Sequence, residues 1–211
     1  MFRTFTTVLV FLALLLVADY ASATKMKSFW KDPSAKASNQ QFKKICVVAV
    51  IKQPLTRKVA EDKMVNIIEA GGRSHAVASY TVIADDQLDD KAGAKSKIEG
   101  LECDGLIIMH YSGSKDEQKY EDQNAETWYG YSYDQVWGYN YPGWGAVYNA
   151  TSSNDLTVYI ETMFYSIKEN KLIWAGITQT KNPKNAAKVV GEIAEVTMEY
   201  LQKEGLIAKK K

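Results

Sequence analysis

Residues 45–51 read Ile-Cys-Val-Val-Ala-Val-Ile, an uninterrupted apolar run rich in β-branched side chains that stops short of Pro54. A strand that is apolar at every position is covered on both faces, which marks the centre of an α/β layer. Downstream, Thr56 is placed to cap a helix in which Val59, Ala60, Met64, Ile67 and Ile68 recur at helical spacing until Gly71-Gly72 stops it. Glu61 and Asp62 fall in its first two turns, where free amide hydrogens favour negative charge.

Residues 75–83 (HAVASYTVI) predict a second strand, and residues 106–111 (LIIMHY) a third, entered through Asp104-Gly105. Between them a short helix spans 92–98, broken by Gly100. Asp85, Asp86, Asp89 and Asp90 precede it. Calcium loops space oxygen ligands closely, but here no Gly sits among the acids and no Glu closes the loop, so they read as helix caps. Further on, residues 156–167 alternate and residues 172–180 return across the polar turn 168–171 as an antiparallel partner. Asn182-Pro183 ends that strand. Residues 185–204 then form a helix with the stripe Val189, Ile193, Val196, Tyr200 and its neighbour Val190, Ala194, Thr197, Leu201. Gly205 stops the helix, and Leu206-Ile207 can fold back on its last turn. This order predicts an α/β fold: a single domain over 44–208, in two or three layers. Its sheet is mixed, with parallel strands in front, an antiparallel hairpin at the back and helices on its faces.

Residues 24–43 read as an extended lead-in that lays Trp30 against the domain. Residues 1–23 have the form of a signal peptide. Arg3 supplies the positive start, residues 8–18 are apolar throughout, and Ala21-Ser22-Ala23 offers small residues for cleavage before Thr24. The run is well short of the roughly 20 apolar residues that span a bilayer, so no stable membrane insertion is expected after cleavage. The expected location is periplasmic or secreted. The net charge of +1 survives cleavage, since Arg3 and Asp19 leave together. That balance gives no support to nucleic-acid binding, which needs a basic surplus gathered on one face.

The least ordinary segment is 128–148, WYGYSYDQVWGYNYPGWGAVY, inside a Gly-rich excursion over 124–149. Its rings are Trp128, Tyr129, Tyr131, Tyr133, Trp137, Tyr139, Tyr141, Trp144 and Tyr148. In extended chain, Tyr129, Tyr131 and Tyr133 would face one side, as would Tyr139 and Tyr141. Such rings can stack on sugar rings, on peptide side chains or on a second copy of the chain. The alternative is a segment that folds over its own sheet and covers it.

Nothing in the sequence names a reaction. No phosphate loop, dinucleotide fingerprint or nucleophile elbow is present, and His75 and His110 stand apart from any close-spaced ligand cluster. No catalytic residue, metal site or cofactor is assigned, although Asp104 and Glu161 are carboxylates of the kind that act as acid and base. Cys46 near the start of the first strand and Cys103 just before the third would approach if those strands are parallel neighbours. Export permits a disulfide, and two buried thiols are the other reading.

The run from Lys44-Ile45 through the 57–72 helix, the Ser79-Tyr80 strand and the Asp104-Gly105-Leu106 entry resembles small periplasmic and outer-membrane-associated proteins of uncharacterised function. These are similar to the amino-terminal domain of the translocation protein TolB and to the curli-secretion lipoprotein family. Lys171-Leu172-Ile173-Trp174, after a Gly- and aromatic-rich excursion, belongs to the same resemblance. It implies an envelope-associated accessory or binding role and no catalytic residues. The expectation is therefore a non-enzymatic exported binding protein of the cell envelope, with an envelope protein or a second copy as partner and a glycan as a further option. The alternative is a glycan- or peptidoglycan-processing hydrolase with its cleft beside the aromatic segment.

Overall fold

The computed structural model describes residues 24–35, 42–114, 131–138, 156–183 and 185–209. The expected signal peptide and the rings of Trp128, Tyr129, Tyr139, Tyr141, Trp144 and Tyr148 lie outside the described residues. The elements are β1 (Thr24–Lys31), β2 (Lys44–Val50), α1 (Pro54–Ala70), β3 (His75–Ala78), α2 (Lys91–Glu99), β4 (Gly105–Ser114), α3 (Tyr133–Val136), β5 (Thr157–Ser166), β6 (Lys171–Lys181) and α4 (Ala186–Lys203). The six described strands form one sheet in the order β1-β6-β5-β4-β2-β3. β2 lies parallel to both β3 and β4, whereas β4–β5, β5–β6 and β6–β1 are antiparallel. This is the mixed α/β sheet that the apolar run at 45–51 demands, with Ile45, Cys46, Val47 and Ala49 fully buried.

The two faces have separate cores. Ile45, Val47, Ile107, Ile160 and Trp174 meet α1 and α4 on one face. On the other, Cys46, Val48, Leu106, Ile108, Met163 and Ile177 meet Ala94 and Ile98 of α2 and Tyr133 and Val136 of α3. The Trp174 ring lies over Gly176, two residues along the same strand, where any side chain would collide with it. A disulfide joins Cys46 in β2 to Cys103 ahead of β4, with Cα atoms 5.9 Å apart. Parallel pairing of β2 with β4 supplies that proximity.

Several elements depart from the sequence reading. The lead-in is part of the sheet: β1 pairs along β6 from Thr24↔Thr180 to Lys31↔Trp174. The strand expected over 75–83 stops at Ala78 and turns into a short 3-10 segment at Ser79–Thr81. α1 starts at Pro54 after Gln53, without a side-chain cap, and Thr56 is buried inside it. In α4 the buried positions are Val189, Val190, Ile193, Ala194, Thr197, Met198 and Leu201, while Val196 and Tyr200 lie at the margin of the interface.

Glu61 is the largest correction. It is fully buried with Arg57 and does not face solvent at the helix start. One carboxylate oxygen accepts hydrogen bonds from the Arg57 Nε (3.0 Å), the Ala49 amide (3.0 Å) and the Ser79 hydroxyl (2.8 Å). The other accepts the Tyr80 amide at 2.9 Å. Arg57 also donates to the Ile83 carbonyl (3.0 Å), Asp85 (2.9 Å) and the Ser79 hydroxyl (2.9 Å). Burial pushes the Glu61 carboxyl above its ordinary value, against the pull of Arg57 and of the donors from Ala49, Tyr80 and Ser79. The network explains the early end of β3: the Tyr80 amide, which would continue a ladder, turns to the carboxylate instead.

Candidate functional site

Residues 131–138 belong to the second face. Ser132 caps α3, accepting the Gln135 amide at 3.2 Å while the Gln135 side chain accepts the Ser132 amide at 3.0 Å. This reciprocal arrangement satisfies donors that a helix start leaves open. Asp134 then ties the turn to its neighbours. Its amide donates to Asn170 (3.0 Å), its carboxylate accepts from Asn170 Nδ2 (2.9 Å), and Lys95 of α2 pairs with it at 2.8 Å. The hydrogen bond from Lys95 holds the Asp134 carboxyl below its ordinary value.

This geometry decides the fate of the described rings. Tyr133 is 3% exposed and packs in the second core beside Val136. It is core, not contact surface, and burial, with Glu99 adding to it, pushes its phenol up. The Trp137 ring meets it edge to face at 6.0 Å and is half-buried. Extended-chain alternation of Tyr131 and Tyr133 does not hold, because a helical turn begins between them.

Tyr131 has a different setting. Its carbonyl accepts the Leu172 amide at 2.9 Å, which seats it at the start of β6. There it faces a groove of about 470 Å³ lined by Trp30, Asp32, Pro33, Ser34, Tyr131, Ser132, Asn170, Lys171 and Leu172. One wall comes from the end of β1, the other from the aromatic excursion, and the β5–β6 turn closes the end. Asp32 pairs with Lys171 at 2.7 Å and accepts the Ser34 amide at 2.7 Å. Burial alone raises Asp32, but Lys171 and Ser34 outweigh it and hold the carboxyl below its ordinary value. Elsewhere a small recess of about 60 Å³ lies between Val50, Ile108, Leu88 and Trp137.

Of the other residues that drew notice, His75 is exposed and His110 is buried. The strand register sets His110 opposite Glu161, with Nε2 3.0 Å from the carboxylate, and Nδ1 lies 3.0 Å from the Tyr111 carbonyl. That pair was invisible in the sequence because its members are brought together only by the β4–β5 register. Asp104 holds the Lys43 and Lys44 amides at 2.8 and 3.0 Å. It enters β4 at Gly105, while Glu161 stands opposite His110, which separates the two by roughly 15–20 Å of strand. Glycosidase carboxylates stand no more than about 9.5 Å apart, so these two do not make such a pair. Of the aspartates at 85–90, Asp85 bonds Arg57, Asp89 makes an exposed pair with Lys52 at 3.3 Å, and Asp90 caps α2 through the Gly93 amide at 3.0 Å. Among the described residues no group of three or more His, Cys, Asp or Glu could hold a metal ion. No described helix is long and apolar enough to cross a membrane.

No protein-family description matches the chain, and no curated protein matches it. Neither comparison supports the resemblance to the TolB amino-terminal domain or the curli-secretion family. Among solved structures the chain is similar to PelC dodecamers from Paraburkholderia phytofirmans. A single-substitution variant is 13% identical over 89% of this chain and 99% of that one, with a TM-score of 0.42. PelC in a second crystal form is 11% identical over 83% of this chain and 96% of that one, again with a TM-score of 0.42. Likenesses of this degree decide neither family nor function.

Proposed function

We propose that the chain is a non-enzymatic, exported binding domain of the cell envelope. Its partner is held where the aromatic excursion meets the end of β1. The observation that carries this is the convergence of Trp30 and Tyr131, a hundred positions apart in the chain, on one groove with a polar rim. Core packing accounts for Tyr133 and Val136 of the same excursion, whereas Trp30 and Tyr131 pack against that core only in part and also line the open groove. The export reading rests on Arg3, the apolar run 8–18 and Ala21-Ser22-Ala23. The rings of Trp128, Tyr129, Tyr139, Tyr141, Trp144 and Tyr148 extend the proposed contact surface.

The test is co-sedimentation of the exported chain with isolated cell-envelope fragments. Intact mass first establishes whether it begins at Thr24. The expected result is saturable sedimentation that a Trp30→Ala/Tyr131→Ala variant loses. A parent chain that stays in the supernatant overturns the reading.

A further inference from the structure

We infer that the groove between Trp30 and Tyr131 is a binding site for a neutral saccharide, an inference that rests on the binding role proposed above. Three features of the groove select this class. The first is its paired aromatic walls. A sugar ring presents a flat face of C–H groups, which an indole or phenol ring covers well, and a rim of hydroxyls that must stay hydrogen-bonded. Trp30 and Tyr131 offer the faces, while Asp32, Ser34 and Asn170 offer the rim.

The second feature is charge. Asp32 and Lys171 cancel each other at 2.7 Å, and nearby Asp134 is matched by Lys95 at 2.8 Å. Among the described residues an anionic or cationic ligand finds no net counter-charge here, which argues against phosphate groups and charged peptides. The paired groups are also held in place before any ligand arrives. Asn170 is bonded to Asp134 at 2.9 Å, and Lys171 reaches the Ser34 hydroxyl at 2.5 Å. Polar groups fixed in this way pay little ordering cost on binding a hydroxyl.

The third feature is the backbone. The Leu172 amide is taken by the Tyr131 carbonyl and the Asp32 amide by the Ile173 carbonyl, at 2.9 and 3.0 Å. A peptide strand adding to the sheet needs such donors open. A docking helix needs a continuous apolar stripe, and among its described residues the groove offers only Leu172 and Pro33 between its rings. Its volume of about 470 Å³ falls within the roughly 300–1,000 Å³ of small-ligand sites.

The experiment is an amide-resolved NMR titration of the full mature chain with cellobiose, lactose and N,N′-diacetylchitobiose. At least one disaccharide should shift amides at 30–32, 34, 131–132 and 170–172 with half-saturation at or below about 10 mM. Tyr131→Ala and Asn170→Gly should each weaken that binding by about tenfold or more. Asn170 has a φ of 49°, which glycine adopts freely, so the second variant removes the side chain and spares the turn. Phe29→Ala, on the α4 side of the sheet against Tyr200, should bind like the parent. Absence of shifts with all three sugars, or shifts centred elsewhere, overturns the inference. A chain that sediments with envelopes yet ignores every saccharide retains the binding role and loses this ligand. A chain that does neither loses both.

Discussion

At the scale of single residues, the most consequential pair is Arg57 and Glu61. Their i, i+4 spacing was visible in the sequence, yet nothing there distinguished them from the exposed pair Lys58 and Asp62 one position on. The difference is tertiary: Ser79, Tyr80 and Ile83 arrive from beyond β3 and supply the donors and acceptor that let two charges be buried. Arg57→Met should cost about 3–5 kcal/mol, because it strands a buried carboxylate. Adding Glu61→Met should not restore the loss, since the Ala49 and Tyr80 amides then lose their acceptor. Urea denaturation of the parent, single and double variants checks this. A double variant as stable as the parent would show that the amides find other partners.

At the scale of elements, α3 converts part of an apparent contact surface into core. Tyr133→Ala should lower stability by about 3–5 kcal/mol, the cost of truncating a buried aromatic. Chemical denaturation measures it, and a loss below about 1 kcal/mol would place the ring outside the core. Elements with strong periodicity are legible in the sequence: β2, β4, the β5–β6 hairpin, α1 and α4. β1 was read only as extended chain, because Lys25, Lys27 and Phe29 face solvent and leave Met26 and Trp30 as its main apolar contributions. Of the two stripes read for α4, Val190, Ala194, Thr197 and Leu201 are all buried, whereas the other keeps only Val189 and Ile193 inside. Helical spacing offers two adjacent stripes, and only the packing partners choose between them. The groove was legible in pieces: Trp30 and Tyr131 each stood out as aromatic residues in polar or Gly-rich surroundings, but only the pairing of β1 with β6 brings them together.

At the scale of the whole molecule, the Cys46–Cys103 bridge ties the central strand to the entry of its neighbour. Closing a 57-residue separation should stabilise the fold by about 4 kcal/mol through the entropy it removes from the unfolded chain. Urea midpoints with and without reductant measure that contribution. Thiol titration of the denatured, unreduced protein should find no reactive thiols, and two per chain would exclude the bridge. The overall architecture was legible because an all-apolar strand flanked by helical periodicity admits few arrangements. What the sequence could not supply was the number of strands on the antiparallel side, since β1 becomes a strand only by borrowing β6 as its template.

That borrowing sets an order of events. β1 is the first described segment of the chain and its partner β6 is the last described strand, so Thr24 meets Thr180 across a separation of 156 residues. During vectorial synthesis this strand has no template until almost all of the described chain has followed it. The local unit of β2, α1 and β3 can assemble early, whereas the antiparallel edge closes late, after the costliest loop has been drawn in. Until then an unpaired strand waits in the open, where strangers could add to it. Its exposed Lys25 and Lys27 are the charges that discourage such wrong partners, so the residues that hid β1 as a strand also protect it while it waits.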